Sequence, residues 1–336
     1  MKAIIQDGYG TVDDLRVAEV DPPTVGEDEV LVRVRAASVH PDIWHMIVGR
    51  PYVLRMMGAG LRRPKNPIPG TDMAGVVEAV GSGVEGFQPG DAVFGETVRG
   101  YSWSNGGAFA EYVSAPVEGL AHKPANVGFE DAATVPTSGL IALRAIKHEA
   151  KVEPGDKVLV NGAGGGVGAV AVQLAIATGA AVTGVDSADK LDMIRTLGAE
   201  HVIDYRTQDF TEAEVPYDVI IDIPGNHPFS KARQALAPNG TYVLIGHDNF
   251  GKKGQGAMGS LPHFFGLLLR SPFTRQLSNL DFKMLPKSES MAYLKELLEN
   301  GQLTPVIDRT YPLDQMPDAM RYLESGEVMG KVVITI

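Results

Sequence analysis

The sequence contains no cysteine in 336 residues. Disulfides, a thiol nucleophile and thiolate metal ligands are therefore excluded. Positive charge is also in short supply: 30 Lys and Arg against 41 Asp and Glu give a net charge of −11. That balance argues against nucleic acid or an anionic membrane as partner. Met1-Lys2-Ala3-Ile4-Ile5-Gln6-Asp7 turns polar too soon for a secretory leader, which leads to the expectation of a cytoplasmic protein. The stretch Gly162 to Val185 has no charged residue and is long enough to span a bilayer. Its glycine cluster and Gly179-Ala180 divide it into turn, helix and strand, so no membrane span is expected.

Glycine is abundant where it carries information. Lys157 to Val160 reads as a short buried strand, followed by Asn161-Gly162-Ala163-Gly164-Gly165-Gly166-Val167-Gly168 as a tight turn. Ala169 to Thr178 reads as an apolar helix, Gly179 stops it, and Ala181 to Val185 forms a second strand ending at Asp186. A strand, a glycine turn, a helix and an acidic residue about 20 positions on make a dinucleotide-binding βαβ unit. Its glycines let the backbone approach a pyrophosphate, whose charge the helix N-terminus stabilises.

The rest of the chain falls into two styles, and its length and 44% hydrophobic content suit two globular domains. Residues 1 to about 125 alternate over Lys2–Ile5, Asp14–Val20, Glu29–Ala36, Met73–Gly81 and Gly90–Gly95. Pro and Gly steps separate these runs, predicting a barrel-like antiparallel domain. From Phe129 the pattern is helical. Strand candidates then recur at His201–Asp204, Tyr217–Asp222 and Gly240–Gly246, with helix-like Lys190–Leu197 and Phe229–Leu236 between. This is the α/β pattern of a doubly wound parallel sheet. Gly251–Gly259 reads as a mobile loop, His263–Leu269 as an apolar patch on a helix, and Arg275–Leu285 as a further strand. The last strand, Gly330–Ile336, is expected to return to the first domain.

With these motifs in place the chain resembles the medium-chain dehydrogenase/reductase superfamily, most of all its zinc-independent quinone oxidoreductase-like branch. The resemblance is carried by Pro69-Gly70-Thr71-Asp72-Met73-Ala74-Gly75-Val76-Val77, Pro89-Gly90-Asp91-Ala92-Val93 and Gly107-Ala108-Phe109-Ala110-Glu111-Tyr112. The glycine turn, Leu197 to Tyr205 and Gly330-Lys331-Val332-Val333 complete it. It implies a Rossmann domain (126–286) inserted into a GroES-like catalytic domain (1–125 and 287–336), with the site between them. It also implies a homodimer paired through an edge strand near Leu280–Leu285. Zinc relatives carry a histidine where this chain has Thr71, and there is no cysteine to replace their other ligands. Catalytic zinc needs three protein ligands, and 95–106 is too short for a structural-zinc lobe, so no metal is expected.

The same resemblance nominates site residues. Gly164, Gly165, Gly166 and Val167 would hold the pyrophosphate, Ile245 and Gly246 would border the nicotinamide ribose, and Lys331 joins them from the terminal motif. His40 stands where related reductases present an asparagine near the nicotinamide. It would either bond or protonate a substrate carbonyl or fill the asparagine's packing role. Tyr52 matches a tyrosine of the substrate pocket, as donor or as plain wall. Trp44, Met56, Met57 and Leu61 would make that wall apolar, for a lipophilic carbonyl or quinone substrate, or else form a loop packed on the core. Ile141 replaces a threonine that contacts the nicotinamide. His45, His201 and His263 read as structural or surface residues.

Cofactor choice is contested. Asp186 would accept bonds from a ribose diol and favour NAD(H), repelling a 2′-phosphate about 4 Å away by roughly 4 kcal/mol per charge pair at intermediate dielectric. Ser187, Lys190 and Tyr205 match positions that hold that phosphate in relatives using NADP(H), with Arg206 adjacent, and Asp186 is free to turn toward Lys190. NADP(H) is the expectation. The function expected is hydride transfer to a quinone or an α,β-unsaturated carbonyl compound. A metal-free alcohol or aldehyde reductase, or a cofactor-binding redox sensor with little turnover, are the alternatives.

Overall fold

The structure, a computed structural model, describes residues 1–100, 103–212, 214–246, 261–278 and 286–336, apart from the side chains of Leu261 and His263. The loop expected at Gly251–Gly259, the edge strand expected at 280–285 and the His263 side chain lie outside the described residues.

The glycine turn belongs to a five-stranded parallel sheet. Its order is His201–Asp204, Ala181–Asp186, Lys157–Asn161, Tyr217–Asp222, Leu236–Leu244. The chain enters at the central strand, steps outward on one side, then crosses to the other. Strand order thus reverses beside Lys157–Asn161, and the crevice beyond the C-terminal strand ends there is where such sheets bind ligands. Val158 and Val160 pack with Val170, Ala171 and Leu174 of the helix Gly166–Ala177. Leu159 points to the opposite face, among Phe210, Phe229 and Tyr242. Both faces are covered, which accounts for the unbroken apolar run. The doubly wound sheet expected from the sequence is present. Leu277 adds a parallel bridge to Tyr242.

The first part of the chain and its last strand build a second, seven-stranded sheet around Glu29–Val39. Val30, Val32 and Val34 face inward and Leu31, Arg33 and Arg35 lean outward, the alternation of a half-buried strand. One side of this strand pairs with Asp72–Val80; the other pairs with Tyr112–Pro116 over 29–33 and with Lys331–Thr335 over 36–39. The C-terminal strand therefore returns to the first domain, as expected.

Three local departures have clear causes. The central strand runs to Val39 rather than ending near Ala36, because Lys331–Thr335 pairs with those last residues. Pro41, at the first helical position, then opens an unanticipated helix, Pro41–Val48, which left-handed Gly49 ends. Phe229–Leu236 is only a short helix, Phe229–Ala232, with a 3₁₀ turn after it, and Leu236 already belongs to the next strand.

Gly168 fixes how closely the first helix sits on its turn. A Cβ there would lie 2.0 Å from the Gly162 carbonyl oxygen and 2.7 Å from Ala163 Cα. Both are backbone atoms and cannot swing aside. Gly168→Ala is expected to cost about 1–3 kcal/mol, the usual penalty of overpacking. Urea unfolding checks this, and an unchanged midpoint would contradict it.

Candidate active site

The turn between Lys157–Asn161 and the helix is braced from behind. Gly162 and Ala163 donate their N–H groups to the Val185 carbonyl at 2.9 and 3.0 Å, and Gly162 is left-handed at φ +83°. Gly165 is the N-cap, and the bond from Ala169 N to its carbonyl spans 2.8 Å. The amides of Gly166, Val167 and Gly168 precede that bond and stand at the positive end of the helix, the arrangement that binds phosphate. The position of a Cβ on Gly165 is open, with only Gly162 O at 3.7 Å. On Gly166 a Cβ would meet Lys331 Cδ at 2.7 Å and Ser138 Oγ at 3.2 Å. The lysine stem thus crosses the head of the turn. Gly330 N also donates to Gly164 O at 2.8 Å, tying the turn to the last strand of the other sheet.

Asp186 faces inward. Its Oδ2 accepts from Gly164 N at 2.7 Å, its Oδ1 accepts from Ser187 N at 2.8 Å, and Lys190 Nζ is 3.7 Å from Oδ1. The carboxylate is spent on bracing the turn. Lys190 lies buried beside it, donating to Gly326 O at 3.4 Å. Tyr205 is half exposed, with Arg206 alongside at 5.7 Å from its ring centre. Asp186, Ser187, Lys190 and Tyr205 are thus gathered at one end of the turn.

At the other end lies a buried polar cluster. Asp72 is fully buried, 3.6 Å from Lys331 Nζ; Glu96 is buried, 2.5 Å from Lys287 Nζ. Thr137 Oγ1, on the helix Pro136–Leu143, lies 2.5 Å from Asp72 Oδ1 and 2.7 Å from Glu96 Oε1. Thr71 Oγ1 is 3.3 Å from Asp72 Oδ1 and 2.8 Å from His40 Nε2. Burial raises the pKa of both carboxyl groups, opposed by Lys331 at Asp72 and by Lys287 at Glu96. Burial lowers that of Lys331, against the pull of Asp72. His40 is pushed down to about 3 by burial and then by the Lys331 charge, with Asp42 opposing, so it is neutral at physiological pH. Two of these polar atoms, His40 Nδ1 and Lys331 Nζ, are buried with no hydrogen-bond partner among the described residues.

The remaining nominees are spread out. Ile141 is half-buried on the same helix as Thr137. Ile245 and Gly246 follow the strand Leu236–Leu244, with Ile245 N donating to Asp222 O at 2.9 Å, so they border the crevice at the sheet's C-terminal edge. Tyr52 is 48% exposed under the guanidinium groups of Arg50 and Arg55, and it takes no part in the network around His40. Met56, Met57 and Leu61 are exposed nearby. Of the two readings open for Trp44, pocket wall or packing on the core, the structure shows the second. It is 3% exposed in the core of the first domain, its indole N–H donating to Glu324 Oε1 at 2.5 Å, because the helix Pro41–Val48 turns that face inward. His45 is buried against the Arg50 carbonyl and His201 is exposed.

Sequence reasoning missed Glu96, Thr137, Ser138, Lys287 and Asp222. Asp222 accepts from Asn161 Nδ2, Gly225 N and Tyr242 OH, bracing the strand ends at the crevice. Its place at the end of an apolar strand was a usable signal. Lys287 and Glu96 lie far apart in the chain and had none. Among the described residues no group of three or more His, Asp or Glu is placed to hold a metal ion, and no helix is long and apolar enough to cross a membrane.

Comparison with known proteins extends over the whole chain. The family described as alcohol dehydrogenase GroES-like domain matches residues 26–125, and the one described as zinc-binding dehydrogenase matches 197–334. The chain is 32% identical to the chloroplast envelope quinone oxidoreductase homolog of Arabidopsis thaliana, over 99% of this chain and 98% of that protein. It is 29% identical to an NADPH-dependent alkenal/one oxidoreductase of the same plant, over 99% of this chain and 79% of that protein. Among solved structures, the quinone oxidoreductase of Coxiella burnetii superposes with a TM-score of 0.83 at 28% identity, covering 100% of this chain and 99% of that one.

The depressed pKa of His40 makes stability depend on pH. Below about 6.5 the unfolded chain takes up a proton on this histidine and the folded chain does not. Stability contributed by the neutral group is complete above that pH and declines as pH falls toward about 3. Relative to His40→Asn, the wild type is expected to lose about 1.4 kcal/mol per pH unit over this window. Denaturant midpoints from pH 7.5 down to 4.5 test it, and parallel profiles for the two proteins would refute it.

Proposed function

Because the chain belongs to the medium-chain dehydrogenase/reductase superfamily, in its quinone oxidoreductase-like branch, we propose that it is an NADPH-dependent reductase. It passes hydride to a quinone or an α,β-unsaturated carbonyl compound without zinc. The observation that carries this reading is Lys331. Its stem crosses Gly166 at the head of the turn, while its ammonium pairs with Asp72 in the cluster that holds His40. One side chain thereby joins the phosphate-binding turn to a neutral imidazole.

The residues fit a dinucleotide. The amides of Gly166, Val167 and Gly168, and the unspent donors of Lys331, would hold its pyrophosphate. Ser187, Lys190 and Tyr205 would take a 2′-phosphate. With Asp186 turned onto the backbone amides of the turn, its charge is already engaged there. When bound, the cofactor supplies hydride from its reduced nicotinamide ring. His40 Nδ1, neutral and without a partner, would bond the substrate oxygen, and Ile141 leaves that side of the ring apolar. Tyr52, Met56, Met57 and Leu61, all exposed, would give a lipophilic substrate an apolar approach. Zinc has no place in this reading because Thr71 replaces a ligand histidine and no cysteine exists to supply the others. The family resemblance extends the proposal to a homodimer.

The test follows nicotinamide absorbance with a chelator present. NADPH or NADH is mixed with a small quinone, an enone or a saturated aldehyde. Oxidation of NADPH by quinone or enone is expected to survive the chelator. Lys190→Ala is expected to raise the KM for NADPH about ten- to a hundredfold, the worth of one charge-assisted bond, while moving that for NADH by no more than about twofold. Turnover of the aldehyde alone would favour the alcohol/aldehyde reductase. Cofactor binding without turnover would favour the redox sensor.

A further inference from the structure

Thr137 has one hydroxyl proton and two carboxyl oxygens within hydrogen-bond range, Asp72 Oδ1 at 2.5 Å and Glu96 Oε1 at 2.7 Å. If it donates to one, the other contact holds only when that carboxyl carries a proton and donates to Thr137. The geometry therefore requires one proton shared across Asp72, Thr137 and Glu96. From Asp72 the path continues without a gap: Thr71 Oγ1 at 3.3 Å, then His40 Nε2 at 2.8 Å, and through the ring to the unpartnered Nδ1.

We propose that this row is a proton store and relay: Asp72 and Glu96 hold one proton across Thr137 and pass it by Thr71 to His40, which delivers it to the substrate oxygen. The proposal rests on the reductase reading above. With NADPH bound, its reduced ring would supply the hydride, and the substrate oxygen would be left with a negative charge. The His40 Nδ1–H bond then breaks as the substrate O–H bond forms. Nε2 takes the Thr71 hydroxyl proton, and Thr71 takes one from the carboxyl pair. Both carboxyl groups are left ionised between Lys331 and Lys287; after product leaves, a proton from solvent enters at Nδ1, Nε2 returns its proton to Thr71, and Thr71 returns one to the carboxyl pair. His40 changes tautomer and never becomes a cation. That matches its surroundings, where burial and Lys331 disfavour imidazolium and Asp42, 3.9 Å from Nδ1, is the one opposing charge. Asp72 and Thr137 act through His40 and are positioning residues.

The experiment compares wild type, Thr137→Val and Thr137→Ser as intact proteins saturated with NADPH. Thr137→Val is expected to bind NADPH as the wild type does but to turn over about a hundredfold more slowly, the scale of a lost general acid. Imidazole buffer should restore part of that rate, and Thr137→Ser most of it. Infrared spectra of the resting protein should show the stretch of a protonated buried carboxyl, lost in Glu96→Gln. Wild-type turnover in Thr137→Val, or a loss that neither imidazole nor serine relieves, overturns the relay. An active protein without the carboxyl band overturns the store while leaving the reductase reading intact. A wild type inactive toward every acceptor overturns both.

Discussion

Four ionisable side chains buried in one place are the constraint around which this molecule is built. Asp72, Glu96, Lys287 and Lys331 reach one cluster from a central strand, its neighbour, the start of a late helix and the last strand. A buried charge without its partner costs about 3–5 kcal/mol, so none of these segments can be displaced without stranding another. An exposed pair such as Arg16 with Asp7 is worth at most about 1 kcal/mol. The cluster therefore pins three strands of the seven-stranded sheet to the helices that carry Thr137 and Lys287, and the site inherits its geometry from that pin. His40 and the glycine turn are held in fixed relation because Lys331 touches the surroundings of both.

What could be read from the sequence follows the range of the forces involved. The unit from Lys157 to Asp186 was legible because each step is local: a buried strand, glycines that the turn requires, an apolar helix, a second strand. His201–Asp204 and Tyr217–Asp222 form as anticipated for the same reason. His40 and Lys331 were nominated from the motifs around them. Thr137, Glu96 and Lys287 were not, since each gains meaning only from partners far along the chain. Trp44 was left open between pocket wall and core because Pro41 starts a helix whose buried face was not foreseen, and the residues beyond Ala36 were misjudged because one of their two pairing strands lies some 300 residues away.

Orientation was the other thing hidden from the sequence. Asp186 occupies the position of a ribose-binding carboxylate, and its chemical type alone argues for one cofactor. Its two oxygens instead cap the amides of Gly164 and Ser187. A carboxylate facing the backbone and one facing a ligand are the same letter. Only the rotamer separates them, and Lys190 lying across Gly164 fixes it.

The bond from Gly330 to Gly164 has a consequence for how the protein is made. Gly164 leaves the ribosome with the nucleotide-binding sheet, and Gly330 is synthesised only after every strand of that sheet has emerged. The turn thus receives its last brace, and Lys331 takes its place across Gly166, late in translation. Every strand of the parallel sheet can pair before that bond exists, so the turn is fully braced only in the finished protein.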